Sequence, residues 1–316
     1  MSGSAPRAEA LLRKLEWTVI RRLDGLLQGD YRTLFRGYGL DLADIREYQP
    51  SDDVRYIDWN VTARMQSPHV REYYEDREVT AWFLLDLSPS IDFGSFQIKK
   101  RAVLTEFVAV ISRLLTRHGN KVGALLYGAG LDQVIPARSG RKHVLHIMNA
   151  IENHPELPRA PETNLQEFLL AAANIIKRRS LVFVVSDFIS PPGWARQMGL
   201  LNRRHEMLAV RLFDPLELEL PDLGLLVVQD SETGEQLFVD THDKGFRVRF
   251  ARAAERREAE LRGAFTQAGV DCLELSTTDD LVDAILRFAD LRKQRSMLSG
   301  GAPSGHLEGR NDIPVA

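Results

Sequence analysis

The sequence predicts an α/β protein built on a doubly wound, mostly parallel sheet, with an N-terminal arm and an inserted β-hairpin. Three observations carry this expectation. Residues 79–86 (VTAWFLLD) and 181–187 (LVFVVSD) are short, nearly all-apolar runs, as in strands buried on both faces. Segments with apolar residues at helical spacing alternate with them. The chain has 316 residues, 44% of them hydrophobic and 27% charged, enough to bury a large core without disulfides.

Taken in order, residues 7–28 place Leu11, Leu12, Leu15, Val19, Leu23, Leu26 and Leu27 largely on one helical face, which predicts a docking helix. Residues 31–78 hold six of the seven tyrosines, seven arginines, ten acidic residues and no lysine. Arg pairs with carboxylates in a planar fork and stacks on aromatic rings, so this segment reads as an ordered, ion-paired latch with short strands and turns around Pro50-Ser51-Asp52-Asp53. The α/β unit is expected over 79–291. Its helices fall near 97–118, 140–152, 164–178, 193–203, 245–268 and 279–291, and its strands at 79–86, 121–127, 132–136, 181–187, 207–213 and 270–275. A hairpin insertion spans about 216–243, with strands 225–229 and 235–240 around a turn containing Gly234. A tail over 292–316, Gly/Ser/Pro-rich from residue 296, reads as disordered.

Composition excludes several classes of function. One cysteine, Cys272, rules out a disulfide framework and a four-cysteine zinc site. A net charge of −3 gives no electrostatic footprint for nucleic acid. The charged N-terminal segment lacks the apolar run of a signal peptide, and no window approaches the ~20 apolar residues of a membrane span. A cytoplasmic protein is the expectation. G-x-G-x-x-G, G-x-x-x-x-G-K-[ST] and G-x-S-x-G are all absent.

In an open α/β sheet, ligands bind at the carboxyl ends of the strands. The first buried strand ends in Asp86-Leu87-Ser88-Pro89-Ser90 and the fourth in Ser186-Asp187, while Glu162-Thr163-Asn164 precedes a helix. Threonine is a good N-cap, which would set its hydroxyl at the helix start. Asp86, Ser88, Ser90, Thr163 and Asp187 offer two carboxylates and three hydroxyls, a donor set for Mg²⁺ or Mn²⁺ rather than zinc or copper. Two carboxylates leave a coordination position for water or an incoming carboxylate.

Other candidates are weaker. His143, His146, Glu152 and His154 invite a zinc site, but Arg138, Arg141 and Lys142 put positive charge beside them. The same basic cluster at a helix start reads as solvated rather than anion-binding, Cys272 as an inert core residue, and residues 247–262 as a solvated helix face.

Asp-x-Ser-x-Ser, then Thr, then Asp, at these places resembles the metal-ion-dependent adhesion site of von Willebrand factor A domains. The resemblance covers residues 79 to about 291, including a short edge strand. It implies that Ser88, Ser90 and Thr163 face the metal while Asp86 and Asp187 act largely through waters. It also implies that the open position takes an acidic side chain from a partner. Pro89 between the serines should be harmless. Ahead of this unit, Arg46-Glu47-Tyr48, Pro50, Asp52-Asp53-Val54-Arg55, Ile57-Asp58-Trp59 and Thr62-Ala63-Arg64 resemble the bacterial domain-of-unknown-function 58 family. That resemblance implies a non-enzymatic interaction module working with a MoxR-type AAA+ ATPase in folding, assembly or activation of client proteins. Arg55, Asp58, Trp59 and Arg64 are expected to be buried in the latch. The alternative is a Mg²⁺-dependent hydrolase or phosphotransferase with Asp86 as nucleophile. Against it, Ser88 stands where such enzymes carry a second aspartate, and no lysine is evident near the phosphate.

Overall fold

A computed structural model describes residues 4–21, 23, 42–49, 54, 57–73, 79–95, 98–157, 163–229 and 235–298. Its centre is a six-stranded sheet of β3 (Thr80–Asp86), β4 (Lys121–Tyr127), β5 (Leu131–Arg138), β6 (Leu181–Ser186), β7 (Glu206–Phe213) and β10 (Asp271–Ser276). The spatial order is β10-β7-β6-β3-β4-β5, parallel throughout except for β5, which runs antiparallel on β4 at the edge. The doubly wound sheet is the one the sequence predicts, but its edge strand, expected to be short over 132–136, runs for eight residues.

Strand period decides which residues meet which layer. Ala81, Phe83 and Leu85 of β3 share one core with Val122 and Ala124 of β4 and Phe183 of β6. That face is covered by α1 (Ser4–Leu15), α3 (Lys100–Arg117), α4 (Arg141–Glu152) and α8 (Leu281–Leu298). Leu84, Leu125, Val182 and Val184 point the other way, under α5 (Leu165–Ile175), α6 (Trp194–Asn202) and α7 (Lys244–Ala268). Phe83 and Phe183 stack across neighbouring strands at 4.9 Å. Cys272 lies 1% exposed on the second face, and burial drives its thiol pKa well above the ordinary value.

The N-terminal helix docks as expected, with one shift of phase. Leu12 and Leu15 are buried, but a π-helical turn over Glu16–Ile20 adds a residue to the winding. Ile20 and Leu23 therefore enter the core, while Val19 is only partly buried. Leu26 and Leu27 lie outside the described residues.

The arm forms a two-stranded antiparallel sheet of β1 (Leu42–Glu47) and β2 (His69–Tyr73), with α2 (Trp59–Met65) between them. Its expected latch needs correction. Asp58 is buried, but as the cap of α2, its Oδ1 accepting the Val61 N–H at 3.2 Å. Trp59 is 71% exposed and Arg64 is exposed, since the seven-residue helix turns them outward. Arg55 and residues 50–53 lie outside the described residues.

The inserted hairpin pairs β8 (Leu225–Gln229) with β9 (Gln236–Asp240) as a separate two-stranded sheet, its turn outside the described residues. Leu225, Val227 and Phe238 are 71%, 53% and 70% exposed. The charged helix α7 is less solvated than its sequence implies. Its Glu258 pairs with Arg211, a guanidinium-bearing side chain only 5% exposed, which Glu274 also contacts at 2.8 Å. The last helix continues to Leu298, past the expected boundary at 291, and residues 299–316 lie outside the described residues. No described helix is long and apolar enough to cross a membrane.

Candidate metal site at the carboxyl edge of the sheet

The chain reverses its direction of winding between β3 and β6, which are neighbours although 94 residues lie between Asp86 and Leu181, with β3 leading to β4 on one side and β6 to β7 on the other. The crevice at such a switch point lies where those two strands end. Asp86 is the last residue of β3, and Asp187 directly follows β6.

The sequence around Asp86 folds back on its own carboxylate. Asp86 Oδ1 accepts the Ser88 N–H at 3.0 Å, and Oδ2 accepts the Ser186 hydroxyl at 2.6 Å. Pro89 opens a 3₁₀ turn over Pro89–Asp92, where its fixed φ and missing donor cost nothing. This turn brings Ser90 Oγ to 3.2 Å from Ser88 Oγ. Across the crevice, Asp187 Oδ1 accepts the Ile189 N–H at 3.1 Å, and the Ser90 hydroxyl also bonds this carboxylate. Phe188 between them adopts φ 59°, a left-handed conformation unusual for a bulky residue. Its ring is held against Trp194 and Phe265, and its N–H donates to Ser186 Oγ at 2.9 Å.

Thr163 reaches the same edge from the third segment and is 1% exposed. Its neighbours fix it there. The Asn164 N–H donates to the Tyr127 hydroxyl at 3.3 Å, and the Leu165 N–H to Ser190 Oγ at 3.0 Å. The expected cap is corrected, because Asn164 caps α5 by accepting the Glu167 N–H at 3.2 Å. Asn competes at least as well as Thr for that role, which leaves Thr163 one residue outside the helix. Glu162 lies outside the described residues.

Asp86, Ser88, Ser90 and Asp187 are thus buried where two adjacent strands end, and Thr163 is buried in the segment that leads into α5, whose next residues bond Tyr127 and Ser190. Complete burial, together with the charge of Asp187, pushes the Asp86 carboxyl up to about 6. Burial acts on Asp187 in the same direction, but the Lys100 ammonium, together with hydrogen bonds from Ile189 and Ser90, outweighs it and holds that carboxyl below its ordinary value.

Lys100 is the residue that sequence reasoning missed. Its Nζ donates to Asp187 Oδ2 at 2.9 Å and to Glu217 Oε1 at 2.6 Å, with the side chain 1% exposed. Burial would lower its pKa, but the two carboxylates more than reverse that. The expectation of no lysine beside the carboxylates is therefore corrected. Glu217 belongs to a capping box with Asp214, whose side chain accepts the Leu216 N–H at 3.0 Å. The Asp-x-x-Glu spacing of that box was the available signal.

The donor chemistry fits a hard divalent cation. Every side chain offered is a carboxylate or hydroxyl oxygen, and two like-charged buried carboxylates face one another with only part of their charge met by Lys100. Ser88, Ser90 and Thr163 would supply hydroxyl oxygens to the ion, and Asp86 and Asp187 its charge balance. Among the described residues, no group of three His, Cys, Asp or Glu side chains is arranged to hold a metal. The histidine cluster is otherwise engaged, His143 with the Val122 carbonyl at 2.8 Å and His154 with Asp132 at 2.9 Å. Arg141 of the basic cluster turns to Glu9 and Glu16 of the first helical segment.

Comparison with known proteins agrees with the resemblance to the domain-of-unknown-function 58 family. The family described as "Protein of unknown function DUF58" matches residues 44–260. An uncharacterised protein of Mycobacterium bovis, Mb1516, is 37% identical over 301 residues, 95% of this chain and 93% of its own. Among solved structures, an aerotolerance-related membrane protein from Bacteroides fragilis shares 13% identity at a TM-score of 0.44, covering 68% of this chain and 99% of its own. A manganese-loaded TRAP protein of Plasmodium vivax shares 16% at a TM-score of 0.33, covering 42% and 57%.

Proposed function

Since the chain belongs to the DUF58 family, we propose that it is a protein-interaction module whose carboxyl-edge site holds Mg²⁺ or Mn²⁺ and captures an Asp or Glu of a partner. The observation that supports this reading is the bonded cluster of Asp86, Ser88, Ser90 and Asp187 where β3 and β6 end, with the buried Thr163 taken as its fifth donor. Hydroxyl donors add no charge, so a divalent ion bound among them keeps affinity for a carboxylate. The partner is a MoxR-type AAA+ ATPase, the client a protein assembled or activated by the pair, the compartment the cytoplasm, and the role non-enzymatic.

Surface plasmon resonance with the ATPase as analyte tests this. Thr163→Val, nearly isosteric, should weaken binding by roughly thirtyfold to several thousandfold, the ~2–5 kcal/mol typical of losing one side of a desolvated charge contact. EDTA should do the same to the wild type, and Mg²⁺ should restore it. Binding that is equally strong in EDTA overturns the proposal.

Lys100 favours one second reading, the Mg²⁺-dependent hydrolase or phosphotransferase with Asp86 as nucleophile. It is weaker, because the ammonium is already committed to two carboxylates at 1% exposure. Turnover of a phosphate ester that needs Mg²⁺ and disappears in Asp86→Asn would establish it.

A further inference from the structure

Two adjacent lysines open α3, and their fates differ. Lys99 is half exposed and meets Glu156 at the surface, an arrangement worth little. Lys100 is turned inward, its backbone N–H donating to the Phe93 carbonyl at 2.9 Å and its ammonium closed off between Asp187 and Glu217. Burying an ammonium this completely is costly unless it is fully paired, so its placement beside a cation site calls for a role.

We propose that Lys100 is the residue that sets how tightly the carboxyl-edge site holds its divalent ion, acting as a built-in positive charge that the ion must share Asp187 with. This rests on the metal reading above and adds the control of its affinity. Buried Asp86 and Asp187 and the partly buried Glu217, set against Lys100, leave two negative charges unmet within the cluster. The ammonium also occupies Asp187 Oδ2, an oxygen that would otherwise be open to the ion. A site tempered in this way holds an ion weakly by itself and firmly once a partner carboxylate completes the coordination. Glu217 is the opposing lever. It draws the ammonium away from Asp187, and it sits in the 3₁₀ turn Pro215–Glu217 that leads to the exposed hairpin.

Charge counting then orders three variants. Calorimetric titration of Mn²⁺ into chelator-treated, full-length protein should show Lys100→Met binding at least about tenfold tighter than wild type and Glu217→Gln about tenfold weaker. The double variant, with the wild-type charge balance, should fall between the singles. Should Lys100→Met fail to fold without metal, the weakening in Glu217→Gln and its reversal in the double variant still decide the matter. Equal affinities, or the reverse order, overturn the role of Lys100 while leaving the metal site standing. No Mn²⁺ binding in any of the four proteins overturns the metal reading itself, and this inference with it.

Discussion

Replacing Asp86 by Asn should stabilise the metal-free protein. The Asp86 carboxyl is held at about 6 against an unperturbed 3.8, because its charge is fully buried and faces that of Asp187. A group whose folded pKa is raised contributes its full stability below the unfolded pKa and loses it as pH rises through the folded one. Above about pH 6 the ionised Asp86 therefore costs roughly 3 kcal/mol, from a little over two pKa units at about 1.4 kcal/mol each. Asn is isosteric. Its Oδ1 still accepts the Ser88 N–H, and the Ser186 hydroxyl can turn to accept from the new amide. Urea unfolding in EDTA, followed by circular dichroism, should show the variant gaining on wild type with rising pH. About half of the 3 kcal/mol should develop between pH 5 and pH 8, with a midpoint on heating raised by roughly 5 °C at pH 8. Mg²⁺ should then close the gap, because only the wild type gains from the ion. A difference between variant and wild type that stays flat from pH 5 to pH 8 would refute the reasoning, since it would mean that Asp86 carries no uncompensated charge.

Further outcomes follow from the same geometry. Ser88→Ala/Ser90→Ala should abolish Mg²⁺ binding in calorimetry, and an unchanged isotherm would remove both hydroxyls from the site. Arg211→Met strands two acidic residues around a nearly buried position and should cost roughly 3–5 kcal/mol in urea unfolding, whereas a loss below 1 kcal/mol would show the cluster to be dispensable. His205, 4% exposed, is held below its ordinary pKa of 6.5 by burial and by Arg204, so the stability it contributes is present above pH 6.5 and lost as pH falls below it. His205→Gln should flatten that acid limb of the stability profile, and an identical limb in the variant would contradict it. Asp58→Ala should cost about 1 kcal/mol of helix capping and speed proteolytic cleavage within residues 57–73, with equal cleavage rates as the contrary result.

Much of the sheet could be read from the chain because strands buried on both faces are written as contiguous apolar runs. Residues 79–86 and 181–187 leave little room for another reading, and the strands begin and end within a residue of those limits. Asp86, Ser88 and Ser90 were legible for the same reason, being local to one strand end. Lys100 and Glu217 were not. Their bonds to the site span 87 and 117 residues, and a lysine pair at a helix start ordinarily reads as solvated. Thr163 was placed correctly at a helix entrance but given the role of Asn164, since two adjacent capping residues cannot be ranked without the backbone. The π-turn at Glu16–Ile20 escaped because a period of 3.6 is assumed when a helical face is drawn, and one extra residue rotates everything after it. Trp59 failed differently. Aromatic and arginine content predicted burial, while a short helix with its own aspartate cap needed neither.

The antiparallel strand β5 has a consequence for how the protein behaves in a crowded solution. A sheet with an open margin is a template on which further strands can grow, and growth of that kind ends in fibres. Here the margin carries Asp132, Arg138 and Pro136, the last with no N–H to offer an incoming strand, and most of its side chains are exposed to water. The margin is blunted. The free-standing hairpin has no such protection, since Leu225, Val227 and Phe238 lie open on strands without proline. Self-association of the isolated protein on storage should therefore begin at the hairpin rather than at β5, so that a single lysine in place of Phe238 would do more for its shelf life than any change to β5.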